Sequence, residues 1–175
     1  QLNTFDWNNI PVSDQKIEQS LYLLSKSIDD LTKLSRGLNT DLLQQQGLLH
    51  AVEEEIERIR KTGLFGVEFS LSGSPVFMEA RKELMIFRVI QEAFNNIIKH
   101  AGAKNTWLEM NYTNELSVSI RDDGAGFDKE MMPGNGSGLT NMEARIKLLG
   151  GSFSVTSYPG KGTTILFTIS IEQPV

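Results

Sequence analysis

The sequence predicts an α+β fold in which a mixed, largely antiparallel sheet has helices on one face and follows a helical arm. Three observations lead to this fold class. Residues 77–101 have the apolar spacing of a long amphipathic helix. The N-terminal part of the chain also repeats apolar residues at helical spacing. Five shorter segments alternate apolar and polar residues, as half-buried strands do: Val67–Leu71, Thr106–Tyr112, Glu115–Ile120, Ser152–Ser157 and Thr163–Ile171.

The overall composition limits the classes of function. With 175 residues, 39% of them hydrophobic, the chain has enough material for one core and a helical appendage. A net charge of −5 argues against nucleic acid or an anionic membrane surface as a partner. The absence of cysteine and the presence of only two histidines argue against disulfides and a structural zinc site. No apolar run approaches about 18 residues and no export leader is visible, so we expect a cytoplasmic segment, which could also be the cytoplasmic portion of a membrane-bound protein.

The N-terminal segment is predicted to be a helical arm. We divide the chain into this arm at residues 1–40, a linker at 41–46 and a second domain at 47–175. A seam with spacings of three, four or seven residues is typical of a bundle or coiled-coil helix. The alternative is one amphipathic helix that packs on the core of the same domain. The seam consists of Ile17, Leu21, Leu24, Ile28, Leu31 and Leu38.

The second domain is predicted to alternate helices and strands. A helix runs from Gly47 to about Lys61 and ends before Gly63. Thr113-Asn114 suits the two-residue loop of a hairpin. A later helix at Leu139–Leu149 is expected to stop at Gly150-Gly151.

The helix predicted at residues 77–101 has two distinct faces. Its polar face usually indicates contact with solvent and nothing more. Here it is followed by three glycine-rich segments that could make it part of a site. The apolar face consists of Phe87, Ile90, Phe94, Ile97 and Ala101, and the polar face of Arg88, Glu92, Asn96 and Lys99.

The three glycine-rich segments stand in a definite order. A predicted strand ends in Asp122-Asp123-Gly124-Ala125-Gly126, then Gly134–Leu139 leads into a helix, and Gly160–Thr163 leads into the last strand. Each segment alone is most often a turn that needs a positive φ angle. Their order behind a helix with a polar face is much more specific.

That order resembles the ATPase module shared by DNA gyrase, the ninety-kilodalton heat-shock chaperones, sensor histidine kinases and mismatch-repair ATPases. The module is known as the Bergerat or GHKL fold, a two-layer α/β sandwich, and the resemblance covers about residues 47–172. Bacterial sensor histidine kinases of the short-lid subfamily are the most similar, judged from the spellings QEAFNNIIKHAGA and GLTNMEARIKLLGG. The resemblance implies ATP and Mg²⁺ as cofactors.

The resemblance also implies which residues bind phosphate and metal. Asn96 is assigned to Mg²⁺, for which a carboxamide oxygen is a suitable ligand. Glu92, one turn away, would orient a water molecule or the attacking group, so Glu92 and Asn96 are the catalytic candidates. Lys99 could reach a phosphate, and His100 could lend a donor. A surface lysine and a histidine with a packing role are the simpler alternatives.

The adenine pocket is expected at the end of the strand that precedes Asp122. The Asp122 carboxylate can accept from the exocyclic amine of adenine, whereas the oxygen of guanine would leave that acceptor unpaired. Gly124 and Gly126 let the base approach the backbone, and Thr163 matches the family position that supports this contact. Asp123 is expected to face solvent.

The second glycine-rich segment is expected to bind phosphates. Main-chain N–H groups at the positive end of a helix dipole favour anions. The preceding residues 127–135 would form a lid. The nucleotide-binding candidates in this segment are Gly136, Ser137, Gly138 and Leu139.

The arm resembles part of a kinase dimerisation domain. In these kinases the first helix of that domain contains a phosphoacceptor histidine followed by an acidic residue. Here His50 precedes Ala51 and His100 precedes Ala101. We therefore expect the acceptor to lie upstream and this chain alone to be unable to autophosphorylate. The alternative is that His50 itself is the acceptor.

The leading functional hypothesis is the ATP-binding catalytic part of a homodimeric two-component sensor histidine kinase. Such a kinase passes the γ-phosphoryl group to a histidine and then to an aspartate of a response regulator. One alternative is a serine kinase and binding switch of the anti-sigma type, against which the helical arm argues. Another is a degenerate nucleotide fold used for dimerisation, against which the intact glycine-rich segments argue.

Overall fold

The computed structural model describes residues 46–128 and 137–171. The predicted helical arm, nearly all of the predicted linker and most of the predicted lid lie outside the described residues. Within the described ranges, no helix has both the length and the hydrophobicity needed to span a bilayer.

The described strands form one five-stranded sheet in the order β1-β2-β3-β5-β4. Strands β1 and β2 are parallel, and the other neighbouring pairs are antiparallel. The prediction of a mixed, mostly antiparallel sheet is therefore confirmed. The strands are β1 (Gly66–Gly73), β2 (Asn105–Tyr112), β3 (Glu115–Asp122), β4 (Ser152–Ser157) and β5 (Thr163–Ser170).

A short hairpin connects β2 and β3. Thr113-Asn114 joins β2 and β3, and the N–H of Thr113 donates to the carbonyl of Glu115 at 3.1 Å. The predicted hairpin is confirmed, but its loop is longer than the predicted two residues: the register pairs Tyr112 with Leu116, which leaves the three residues 113–115 between the paired positions.

Three helices accompany the sheet in the described part of the chain. Helix α1 covers residues 46–62, α2 covers Ala80–Asn96 and continues as a π-helical turn at Ile97–Ala101, and α3 covers Ser137–Leu148. Helix α3 ends in a Schellman motif, in which Gly151 N–H donates to Ile146 and Gly150 N–H donates to Lys147. The predicted stop at Gly150-Gly151 is confirmed.

Helix α2 begins at Ala80 rather than at the predicted residue 77. The buried carboxylate of Glu83 accepts the main-chain N–H of Met78 at 2.9 Å and also that of Leu48 in α1. These bonds hold the residues before Ala80 outside the helix and tie them to the first turn of α1. Burial raises the pKa of Glu83, and the two hydrogen bonds only partly offset that effect.

One face of the sheet is covered by the helices. In β2 and β3 every second side chain is buried, which is the period expected of a sheet with one solvated face. The other face includes Trp107, whose ring has the Arg121 guanidinium 4.8 Å from its centroid. The predicted apolar face of α2 is confirmed, since its buried residues include Phe87, Ile90, Phe94 and Ile97.

Candidate functional site

The polar side chains near the end of α2 lie beneath the first turn of α3. A Cβ atom placed on Gly138 would be 2.9 Å from Glu92 Oε1 and 3.6 Å from both side-chain atoms Oδ1 and Nδ2 of Asn96. Glycine at position 138 therefore leaves open the space between the N-terminus of α3 and these two side chains. The structure brings the predicted catalytic pair together with one of the predicted phosphate-binding residues.

The last turn of α2 departs from α-helical geometry. Residues Ile97–Ala101 form a π-helical turn, and Gly102 closes it with φ 58°. Such turns change the direction of the following side chains and occur often at functional sites. Lys99 and His100 are exposed on this turn. His50 lies on α1, where its Nε2 is 3.8 Å from Glu54 Oε1.

The Asp122 carboxylate is buried at the end of β3. Its exposed fraction is 4%, and its Oδ1 accepts the N–H of Gly124 at 2.8 Å. The main-chain N–H of Thr163 also donates to this carboxylate. Burial, together with a smaller effect of the neighbouring Asp123 carboxylate, raises the pKa of Asp122 by more than these two hydrogen bonds lower it. The carboxylate therefore has two donors from the backbone and keeps lone pairs that a ligand can use.

The loop after Asp122 contacts the end of α2 through the main chain. The N–H of Ala125 donates to the carbonyl oxygen of Ala101 at 2.7 Å. A Cβ atom on Gly124 would lie 2.4 Å from that same oxygen, so no larger residue fits. This contact fixes the position of Asp122 relative to the polar side chains of α2.

A second close approach joins this loop to the glycine-rich turn before β5. A Cβ atom on Gly162, whose φ is 74°, would lie 2.0 Å from the carbonyl oxygen of Asp122. One on Gly126 would lie 2.1 Å from the carbonyl oxygen of Tyr158. The N–H of Gly160 donates to Ala125 at 2.6 Å. The two predicted glycine-rich segments are thus packed backbone to backbone.

Two polar residues at the site were not predicted to have a role there. Ser157 Oγ accepts the N–H of Phe127 at 2.9 Å and lies 3.0 Å from Thr163 Oγ1. The sequence could have indicated this role of Ser157, because the predicted hairpin of β4 and β5 places Ser157 opposite Thr163. Asp123 is exposed, as predicted, but its carboxylate also accepts the main-chain and side-chain N–H groups of Asn105 and the main-chain N–H of Lys104, which lowers its pKa.

The remaining candidates are only partly described. Gly136 and residues 129–135 of the predicted lid lie outside the described residues, and for Ser137 only the backbone is described. Leu139 is half-buried against the hydrophobic core. Its side chain therefore has a packing role.

The donor set fits a nucleotide accompanied by magnesium better than a metal held by protein alone. Among residues 46–128 and 137–171, no group of three His, Cys, Asp or Glu side chains is arranged to hold a metal ion. Mg²⁺ commonly takes one or two protein oxygens and fills its shell with phosphate oxygens and water. The Asn96 carboxamide, next to the gap at Gly138, suits that mode.

Comparison with known proteins agrees with this arrangement. Residues 81–173, just over half of the chain, match the family described as histidine kinase-, DNA gyrase B-, and HSP90-like ATPase. The matched region runs from the start of α2 to beyond the end of β5 and includes Glu92, Asn96, Asp122 and Thr163.

Two curated relatives are sensor kinases by name. An uncharacterized sensor-like histidine kinase of Chloroflexus aurantiacus is 34% identical over 168 residues, which cover 83% of this chain and 28% of the relative. The sensor histidine kinase MctS of Rhizobium johnstonii is 29% identical over 172 residues, which cover 95% of this chain and 37% of MctS. The chain spans about a third of the length of these relatives.

Solved structures share the fold. The blue-light activated histidine kinase of Erythrobacter litoralis EL346 aligns with a TM-score of 0.65 at 20% identity, over 83% of this chain and 50% of that one. Histidine kinase AdeS of Acinetobacter baumannii aligns with a TM-score of 0.58 at 19% identity, over 98% of this chain and 89% of that one. The family match over residues 81–173 shows that the chain belongs to the histidine kinase-, DNA gyrase B- and HSP90-like ATPase family.

Proposed function

We propose that this chain is the ATP-binding catalytic part of a two-component sensor histidine kinase. It binds ATP with Mg²⁺ and positions the γ-phosphoryl group for transfer to a histidine. The proposal rests on the contacts that helix α2 makes at both ends of the site. Its side chains Glu92 and Asn96 lie next to Gly138 at one end. At the other end, the carbonyl group of Ala101 binds the loop that follows Asp122. The kinase names of the relatives support it.

The base of the nucleotide is assigned to the Asp122 end of the site. The carboxylate is buried, and its remaining lone pairs suit the amine of adenine. A guanine would present an oxygen to this acceptor and leave it unpaired, which costs about 1–3 kcal/mol. Gly124 and Gly126 keep side chains away from the loop around the base, and Thr163 lies beside Asp122 as the second polar group.

The phosphates are assigned to the space between α2 and α3. The N-terminus of α3, at Ser137, Gly138 and Leu139, offers main-chain N–H groups and the positive end of a helix dipole. We assign Gly136, the preceding residue in the sequence, to the same phosphates. Asn96 supplies the protein oxygen for Mg²⁺, which when bound would neutralise charge on the phosphate oxygens. Glu92 orients the attacking group, and the exposed Lys99 and His100 reach toward phosphate.

The proposal extends to partners and location. The kinase acts as a homodimer through the helical arm at residues 1–40 and passes its phosphoryl group to the receiver domain of a response regulator. We place this segment in the cytoplasm, where both ATP and the regulator are found. Neither nucleic acid nor direct membrane contact is part of the proposal, in keeping with the net charge of −5.

Two substitutions at opposite ends of the site test the proposal. Asp122→Ala should abolish nucleotide binding in a calorimetric titration, because the base loses its principal acceptor. Asn96→Ala should retain binding but remove the dependence of affinity on Mg²⁺. Thermal unfolding of both variants serves as the control for folding. Unchanged ATP affinity in a folded Asp122→Ala variant would show that the base binds elsewhere.

A further inference from the structure

The hydroxyl group of Ser157 is in contact with three polar atoms at the base end of the site. Its Oγ accepts the N–H of Phe127 at 2.9 Å, lies 3.1 Å from the carbonyl oxygen of Gly162, and lies 3.0 Å from Thr163 Oγ1. Ser157 is half-buried at the last position of β4, directly opposite Thr163 in β5. None of the functions assigned above uses this hydroxyl.

Counting protons fixes the direction of these hydrogen bonds. A serine hydroxyl has one proton and two acceptor lone pairs. The Gly162 carbonyl can only accept, so the Ser157 proton is directed to it. If Ser157 instead donated to Thr163, two acceptor oxygens would face each other at 3.1 Å with no proton between them.

These hydrogen bonds determine which groups of Thr163 remain available to a ligand. Ser157 Oγ accepts one hydrogen bond from the main-chain N–H of Phe127 and a second from the hydroxyl group of Thr163. The proton of Thr163 is then committed to Ser157, and its oxygen has only lone pairs left to offer a ligand. The neighbouring Asp122 carboxylate is likewise an acceptor and already receives the main-chain N–H of Thr163. The base end of the site therefore presents two acceptors side by side.

We propose that Ser157 is a positioning residue that determines base specificity by holding the Thr163 hydroxyl as an acceptor. Two adjacent acceptors suit a purine with an amino group at its six position, directly or through a bound water. They disfavour a purine with a carbonyl oxygen there, because that oxygen brings no proton. The inference rests on the proposed ATP site at Asp122 and adds a cause for its selectivity.

The test compares ATP with inosine triphosphate, which has a carbonyl in place of the amino group. Dissociation constants for both are measured by calorimetry in the wild type, Ser157→Ala and Ser157→Thr. Ser157→Ala frees the Thr163 proton to donate to the carbonyl, so the preference for ATP should fall about tenfold. Ser157→Thr keeps a hydroxyl and should keep the wild-type preference.

A matched control and a double variant isolate the effect. Ser154→Ala makes the same change in the same strand at an exposed position, where Ser154 Oγ is 3.5 Å from the Leu166 carbonyl, and should leave the preference unchanged. In a Thr163→Val background, Ser157→Ala should change the preference no further, because the proton it would free is gone. If Ser157 had a purely structural role, the effect of Ser157→Ala on the preference for ATP would not depend on whether residue 163 is threonine or valine.

The outcomes separate this inference from the proposed function. A wild-type chain that prefers ATP, together with a Ser157→Ala variant that keeps this preference or weakens both nucleotides equally, would overturn the role of Ser157 alone. A wild-type chain that does not bind ATP would overturn the proposed function and this inference with it. Loss of the preference in Ser157→Ala, with rescue by Ser157→Thr, is the result we expect.

Discussion

Replacing Gly138 with alanine should separate the stability of the fold from nucleotide binding. The added Cβ atom would lie 2.9 Å from Glu92 Oε1 but 3.6 Å from the nearest Asn96 atoms. Glu92 must therefore retreat by roughly 0.5 Å, whereas Asn96 keeps an ordinary contact. The methyl group would also stand at the N-terminus of α3, where the proposed function puts the phosphates.

The expected effects on stability and binding have opposite signs. Alanine is favoured over glycine in a helix by up to about 1 kcal/mol, so the melting temperature should stay the same or rise by about 2–4 °C. Losing one charge-assisted N–H contact to phosphate costs about 1.5–3 kcal/mol, which raises the dissociation constant of Mg·ATP about 10- to 150-fold. Adenosine, which lacks phosphates, should bind within about twofold of wild type.

Calorimetric titration with Mg·ATP and adenosine, combined with thermal unfolding, measures both effects. Asn141→Ala is the matched control, because it improves helix propensity in α3 at an exposed position. It should raise stability slightly and leave both affinities unchanged. Unaltered Mg·ATP affinity in Gly138→Ala would refute the placement of the phosphates between α2 and α3.

The remaining predictions concern buried polar groups. Glu83→Ala should lower the free energy of unfolding in urea by about 2–4 kcal/mol, because two main-chain N–H groups lose their acceptor, whereas Glu79→Ala at a neighbouring exposed position should be nearly neutral. Tyr112→Phe should be neutral or slightly stabilising by the same measurement, since the buried Tyr112 hydroxyl has no hydrogen-bond partner in the described part of the chain; a loss above about 1 kcal/mol would contradict this. Burial raises the pKa of Asp122 above its ordinary 3.8, so ATP affinity by calorimetry should decline on acidification while the pH is still above 3.8. In the same pH window and without nucleotide, Asp122 binds more protons in the native domain than in the unfolded chain. Titration of Asp122 therefore makes the free energy of unfolding fall as the pH rises. An Asp122→Asn variant should lack this part of the pH dependence.

The sheet and the core were accessible from sequence because they depend on local periodicity. Alternation in β2 and β3 and the apolar spacing of α2 report directly which side chains are buried. The glycine-rich segments were also accessible, since Gly124 and Gly162 permit backbone approaches that no other residue allows. Their order along the chain then indicated that they belong to one site.

Other features depend on contacts that no local pattern encodes. The π-helical turn at Ile97–Ala101 changes the hydrogen-bond register without changing the apolar spacing before it. In the sequence, Glu83 cannot be distinguished from a surface glutamate. Only the tertiary fold places the main-chain N–H groups of Met78 and Leu48 at its carboxylate. Ser157 likewise acquires its three contacts only when β4 pairs with β5. Polar residues of this kind are assigned by geometry rather than by spacing.

The most direct test of the proposed function is a calorimetric titration of the chain with ATP and with GTP, each in the presence and absence of Mg²⁺. If Asp122 reads the base and Asn96 holds the metal, ATP should bind more tightly than GTP, and Mg²⁺ should change the ATP affinity. Equal affinity for the two nucleotides, or failure to bind ATP under either condition, would contradict the assignment of this site.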